Sequence, residues 1–270
     1  TRNPRLFAAK WEAALPLLAY VQATAESSGV PGEFVFLPMV ESGYDPSEPG
    51  RRGDPAGMWQ IMPATARALG LAVNRHYDGR LDPAASTQAV LAMLKDYNDT
   101  LHDWRLVDMA FNAGEYKMRN MMSGRDQPAT DKPLHLPVSS ITRNHLAKLM
   151  AMACIVRDPA RYAVELPNAE NATRLALVKL PQPVRLGQAA HAAEFPLVQL
   201  RTLNPGYRSE RMPEDAPHHL LLPRENARRL AAVLDSQGAA ALASIDASQR
   251  SGIDADRRTF APAAAGAAAN

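Results

Sequence analysis

The sequence predicts a mainly α-helical chain that ends in a small α+β module. Three observations carry that reading. Apolar residues recur at helical spacing, between capping and breaking residues, across the first 160 positions. Two short apolar runs near the C-terminal end, each closed by proline, enclose two short helical patterns. Composition is that of an ordinary globular protein leaning to helix, 46% hydrophobic and 21% charged with 6% aromatic residues. At 270 residues the chain is long enough for one domain of ordinary size and a smaller one.

The first helix is expected over 11–28, with Trp11, Leu15, Leu18, Gln22 and Ala25 in register and Gly29-Val30-Pro31 stopping it. A second follows Pro31, with Glu33 in its first turn. Its Phe34, Leu37 and Glu41 stand at i, i+3 and i+7, on one face, and Gly43 is placed to end it. Residues 44–57 read as loop from their Gly, Pro and Asp content. Pro63 to Leu69 forms a short helix closed by Gly70. Asp82-Pro83 has the form of an N-cap and first helical residue, leading a helix that carries Val90, Leu94, Tyr97 and Leu101. Another short helix runs from near Asp103 to Asn112, and a longer one from Ser140 to Arg157, broken by Asp158-Pro159.

Beyond residue 170 the pattern changes. Leu175 to Leu180 is a short apolar run bounded by Pro181 and reads as a strand. Helical patterns follow at Gly187 to Glu194 and Leu197 to Leu203. A turn at Asn204-Pro205-Gly206 leads to a second strand at His219 to Pro223. A helix is expected near Glu225 to Asp235. The Ala-rich stretch 238–270, with its Ser and Gly, reads as disordered linker. The expected division is 1–165, 172–235 and a tail at 238–270.

A net charge of +2 and a pI near 8.7, with basic and acidic residues interspersed, do not point to nucleic acid. The single cysteine, Cys154, excludes a disulfide within the chain and sits in an apolar run where a small buried hydrophobe is expected. No run reaches the roughly 18 apolar residues needed to span a bilayer. Thr1-Arg2-Asn3-Pro4 does not begin a signal peptide, so the chain reads as a mature or trimmed piece.

Glu41 is the residue with the chemistry. A carboxylate on the apolar face of a helix is desolvated, which disfavours its charged form. The negative end of the helix macrodipole acts in the same direction, and both suit a proton donor. The plainer reading is a half-exposed Glu at a helix end. Asp45, Glu48 and Asp54 are the nearest candidates for the second carboxylate that two-carboxylate glycosidases need, though loop solvation or capping explains each.

Three segments in order decide between these readings: Leu37-Pro38-Met39-Val40-Glu41-Ser42-Gly43-Tyr44, then Gly57-Met58-Trp59-Gln60-Ile61-Met62-Pro63, then Ala110-Phe111-Asn112-Ala113-Gly114-Glu115. Together they resemble the lytic transglycosylases, and over roughly residues 10–225 the membrane-bound lytic murein transglycosylase D family, whose superfamily includes goose-type lysozyme. The resemblance implies a lysozyme-like catalytic domain with Glu41 as its only catalytic carboxylate. It implies that Ser42 holds substrate or orients the acid, that Gln60 hydrogen-bonds the sugar, and that Met62 packs beside the reacting ring. Asn112 would contact substrate or hold the site together, and Trp59 is read equally well as core. Two positions depart from the family: Phe111 and His145 stand where tyrosines are expected, so two phenol hydroxyls are lost. His145 could replace one of those contacts to Glu41 or substrate, or be a plain helix histidine. The loop Pro49 to Ala56 is one residue longer. Residues 175–223 resemble a degenerate LysM module.

The implied reaction is cleavage of the bond between N-acetylmuramic acid and N-acetylglucosamine in peptidoglycan, with the muramic acid C6 hydroxyl as internal nucleophile and a 1,6-anhydro end as product. A tethered nucleophile explains why one carboxylate suffices. No metal or cofactor is implied, and the expected setting is the periplasm, with a possible outer-membrane lipid anchor outside these residues. The rival readings are a lysozyme-type hydrolase and a peptidoglycan-binding protein that does not cut.

Overall fold

A computed structural model describes residues 4–48, 53–129, 132 and 134–237. Helix α1 (Pro4–Ser28) starts seven residues before the expected position. Proline at the first helical position gives up no intrahelical bond. The added turns place Phe7 against Trp11, ring centroids 5.7 Å apart. Trp11, Leu18, Val21 and Ala25 then bury one stripe, and Gly29 ends the helix at φ +73°.

The second expected helix is split. Gly32–Phe36 is a 3-10 turn and α2 is Leu37–Glu41. The reason is Pro38, which lacks the N–H an α-helix would use there; the Leu37 N–H bonds back only three residues, to Phe34 O. The expected face survives, with Phe34 and Leu37 buried and Glu41 at the end.

Helices α3 (Pro63–Ala68), α4 (Pro83–Leu101), α5 (Trp104–Ala113) and α7 (Ser140–Arg157) fall within a residue or two of expectation. Their caps explain it. Asp82 accepts from the Ala84 and Ala85 amides at 2.9 Å, Asp103 from Arg105 N at 2.8 Å, and Ser139 from Thr142 N at 3.1 Å. Helix α6 (Glu115–Met122) has no counterpart in the sequence reading. Only Met118 and Met122 of it are buried, too thin a stripe to register in a polar stretch. Cys154 is half-buried rather than fully enclosed.

The C-terminal part has the expected order: β1 (Leu175–Lys179), α8 (Leu186–Ala192), α9 (Leu197–Leu203), β2 (His219–Pro223) and α10 (Arg224–Gln237). The strands pair antiparallel with Leu177 opposite Leu221. Successive strand side chains point to opposite faces. Leu221 therefore joins the main helical core with Trp11 and Leu37, while Leu220 and Leu222 join the core under α8, α9 and α10. The sheet is a wall between two cores, which is why neither run alternates cleanly.

A polar seam also joins the two parts. Asp82 Oδ2 takes the Tyr77 hydroxyl at 2.9 Å and lies 2.8 Å from His219 Nε2. Arg208 donates to Asp78 Oδ2 at 2.7 Å, and Asp78 N to Gly206 O at 2.9 Å. The expected tail at 238–270 and residues 49–52 of the long loop lie outside the described residues.

Candidate active site

Glu41 ends α2, and the turn after it is held from several sides. Gly43 and Tyr44 both have positive φ, +72° and +68°. The buried Tyr44 hydroxyl donates to Val35 O at 2.5 Å. Ser42 Oγ lies 3.0 Å from Met58 O and 3.3 Å from Pro38 O, and accepts from Asp45 N at 3.1 Å. The serine hydroxyl thus ties the Glu41 turn to the Gly57–Ile61 loop.

That loop is fixed from below. Arg80, buried, pairs with buried Asp78 at 2.8 Å and donates Nη1 to Asp54 O at 2.9 Å. Gly57 has φ +76°, and a Cβ on it would sit 1.9 Å from Arg80 O, so only glycine fits. Trp59 is fully buried and donates Nε1 to Thr87 Oγ1 at 3.2 Å. Gln60 stands at φ +48°, uncommon for a residue with a side chain, and donates Nε2 to Gly57 O at 2.8 Å.

These elements wall a cavity of about 290 Å³. Glu41, Trp59, Gln60, Met62, Phe111 and Asn112 all line it, bringing together residues up to 71 positions apart. Met62 is 46% exposed at its edge. Thr65, Met93 and Tyr97 line it as well and were not singled out from sequence, Tyr97 having read as one more helix-face residue. Among the described residues lining the cavity, Glu41 is the sole carboxylate. Asp45 is turned away to its own loop, where Oδ1 accepts from Ser47 N at 2.8 Å. Ser42 and His145 are not on the cavity wall.

His145 lies behind Glu41. Its side chain is 7% exposed, and Nε2 is 2.7 Å from Glu41 Oε1. Nδ1 is 3.0 Å from Oδ1 of Asp108, a carboxylate with no exposure. Phe111 stacks near the ring, centroids 6.2 Å apart and planes 28° apart. Burial alone would push the imidazole pKa down. The hydrogen bonds and charges of Asp108 and Glu41 outweigh it and raise the pKa to about 9. Asp108 was missed in the sequence, although an aspartate inside the apolar run Leu106-Val107-Asp108-Met109-Ala110 was a usable signal. Among the described residues no group of three or more His, Cys, Asp or Glu is arranged to hold a metal ion. Nor is any helix among them long and apolar enough to cross a membrane.

A helical domain with one carboxylate in a cleft, followed by a two-stranded α+β module, is the class of a lysozyme-like domain joined to a LysM-like one. Residues 19–133 match the Transglycosylase SLT domain family, and residues 174–239 match the LysM-like domain of lytic transglycosylase MltD. Over both parts the chain is similar to the membrane-bound lytic murein transglycosylase D family. It is 32% identical over 231 residues to membrane-bound lytic murein transglycosylase D of Escherichia coli K12, covering 85% of this chain and 51% of that one; the same protein of Escherichia coli O6:H1 matches equally. A tributyltin chloride resistance protein of Alteromonas sp. is 26% identical over 145 residues, 53% of this chain and 70% of its own. The chain spans about half the length of the transglycosylases it matches.

Proposed function

We propose that the chain is a lytic transglycosylase of peptidoglycan, and that Glu41 is its acid and base. The observation that carries this reading is the cleft with a single carboxylate. Two-carboxylate hydrolysis needs a second group across the scissile bond, and no other carboxylate lines the cavity among the described residues. An internal nucleophile removes that need. Glu41 gives a proton to the oxygen between N-acetylmuramic acid and N-acetylglucosamine as the C1–oxygen bond breaks. It then takes the proton of the muramic acid C6 hydroxyl as that oxygen bonds to C1.

In this reading Gln60, Met62, Phe111 and Asn112 contact the glycan. Ser42 serves by holding the acid's turn, because its hydroxyl is engaged with the backbone, and His145 supports Glu41 from behind. The proposed division is a catalytic part over 1–165 and a LysM-like module over 172–235; family matches over 19–133 and 174–239 support two parts in that order. The proposed location is the cell envelope, in the periplasm and attached to the outer membrane, in keeping with the membrane-bound relatives.

The test is digestion of purified peptidoglycan, with soluble products read by mass spectrometry. Anhydro ends, lighter by one water than hydrolytic ends, are expected. Reducing ends would make the protein a hydrolase, and binding without soluble products would make it a scaffold. Glu41→Gln keeps the shape but has no acidic proton, so it should lower kcat by at least about 10²-fold while glycan still binds. Near-normal turnover by that variant would remove Glu41 from the role.

A further inference from the structure

Glu41, His145 and Asp108 come from three different helices and form one continuous line. Nε2 of His145 lies 2.7 Å from Glu41 Oε1 and Nδ1 lies 3.0 Å from Asp108 Oδ1. Asp108 has no exposure and lies behind the ring, away from the cleft. A buried carboxylate without a partner costs several kcal/mol, so its hydrogen bonds to the imidazole are what allow it there. We infer that Asp108 is a positioning residue for Glu41, acting through His145: it accepts a hydrogen bond from Nδ1–H, directs Nε2 at Glu41 and thereby commits one carboxyl oxygen of the acid.

This inference rests on the proposed role of Glu41 and adds a division of labour between its oxygens. With Nδ1–H donated to Asp108, Nε2–H of the imidazolium donates to Oε1. Proton exchange with the glycan is then confined to Oε2. Oε2 releases one proton to the leaving oxygen and regains one from the C6 hydroxyl, and the two imidazole protons stay where they are. The charged groups facing the imidazole are Glu41 from α2 and Asp108 from α5. Phe111 of α5 faces it with an apolar ring. Glu33, on the 3-10 turn that packs against α7, is exposed, as are Arg143 and Lys148 of α7 itself. Asp108, together with Glu41 in its ionised form, holds the imidazole protonated to about pH 9.

The experiment has two arms. NMR titration of the His145 ring in the full chain needs no turnover: wild type should hold its proton to about pH 9, and Asp108→Asn should lower the midpoint by about one unit or more. The second arm is the pH profile of kcat/KM on peptidoglycan. Asp108→Asn should lose on the order of 10²-fold, since a misaimed acid costs about that much, and its alkaline limb should move down with the ring titration. In the His145→Tyr background, Asp108→Asn should leave the profile unmoved. If Asp108→Asn folds and neither midpoint nor limb moves, Asp108 is packing only and the inference fails. If Asp108→Asn does not fold, Glu41→Gln should still lower the His145 midpoint by a smaller amount, and no movement there would equally overturn the coupling. Wild type that yields no anhydro product would sink the transglycosylase reading while leaving the NMR arm intact.

Discussion

Replacing Asp82 by alanine should cost more than any surface change, because one carboxylate does three jobs at the seam between the two cores. Oδ1 caps α4 through two amide bonds of 2.9 Å, and losing such a cap costs about 1 kcal/mol. Oδ2 accepts the hydroxyl of Tyr77, a residue with no exposure. Leaving that hydroxyl without a partner costs about 1–3 kcal/mol. His219, 13% exposed at its side chain, loses its partner too. Together the change should destabilise by about 3–5 kcal/mol, the range seen when one member of a buried pair is removed. That is a large part of a typical total stability of about 5–15 kcal/mol. Urea unfolding at pH 7 measures it, with Asp82→Asn expected between wild type and alanine because an amide oxygen can still cap. The pH dependence has a definite sign. Burial opposes the charged form of Asp82, but the His219 hydrogen bond and charge, the Ala85 amide and the Tyr77 hydroxyl outweigh it and hold the carboxyl below its usual range. A lowered folded-state pKa contributes stability above the unfolded value, about 3.9, and loses it as pH falls below that value. The alanine variant should therefore lack the part of the acid destabilisation that Asp82 causes. A loss at pH 7 of only about 1 kcal/mol, the cap alone, would refute the idea that the seam is stabilised by this network.

Gly57→Ala should destabilise by about 3 kcal/mol or more, since it combines a positive φ with a steric clash against Arg80 O; thermal unfolding checks it, and a change in Tm of under a degree or two would contradict the geometry. The raised His145 pKa makes a second pH prediction of opposite sign. Its contribution is fully present below the unfolded value of 6.5 and is lost as pH rises through about 9. Wild-type stability should thus fall across that window by more than the stability of Asp108→Asn, as read by urea unfolding at pH 6, 8 and 10.

Much of this architecture was legible because its signals are local. Asp82, Asp103 and Ser139 are caps whose partners lie two or three residues away, so short-range chemistry alone sets where α4, α5 and α7 begin. The first helix was cut short because its opening turns, with Arg5, Leu6 and Lys10, present a mixed face, yet Phe7 packs on Trp11 once the helix forms. The break before α2 was also written in the chain, in Pro38, but the periodicity of Phe34, Leu37 and Glu41 runs through it and hides it. The cleft was read through Glu41, Gln60, Met62, Phe111 and Asn112, which share one cavity. Tyr97 escaped because a tyrosine on the inner face of a helix looks the same whether it faces a core or a cleft. Asp108 escaped because its partner is 37 positions away: the apolar run around it marks a buried aspartate but not the group that pairs with it.

Phe111 and His145 make sense together with Asp108. A buried phenol presents one hydroxyl and needs one partner, whereas a buried imidazole presents two ring nitrogens on opposite sides and needs two. Putting histidine at 145 thus requires a group behind the ring as well as Glu41 in front, and Asp108 is that group at 3.0 Å. Phe111, stacked near the ring, brings no hydroxyl to compete for either nitrogen. It follows that His145→Tyr should not be neutral. The phenol can reach toward Glu41, but its single hydroxyl cannot also satisfy a carboxylate on the far side, so Asp108 is left charged and unpaired in a site with no exposure. That variant should lose on the order of 3–5 kcal/mol, and adding Asp108→Leu or Asp108→Asn should recover most of it. Urea unfolding of the two singles and the double gives the coupling directly. Strictly additive losses would mean that the histidine and the aspartate are neighbours without being partners.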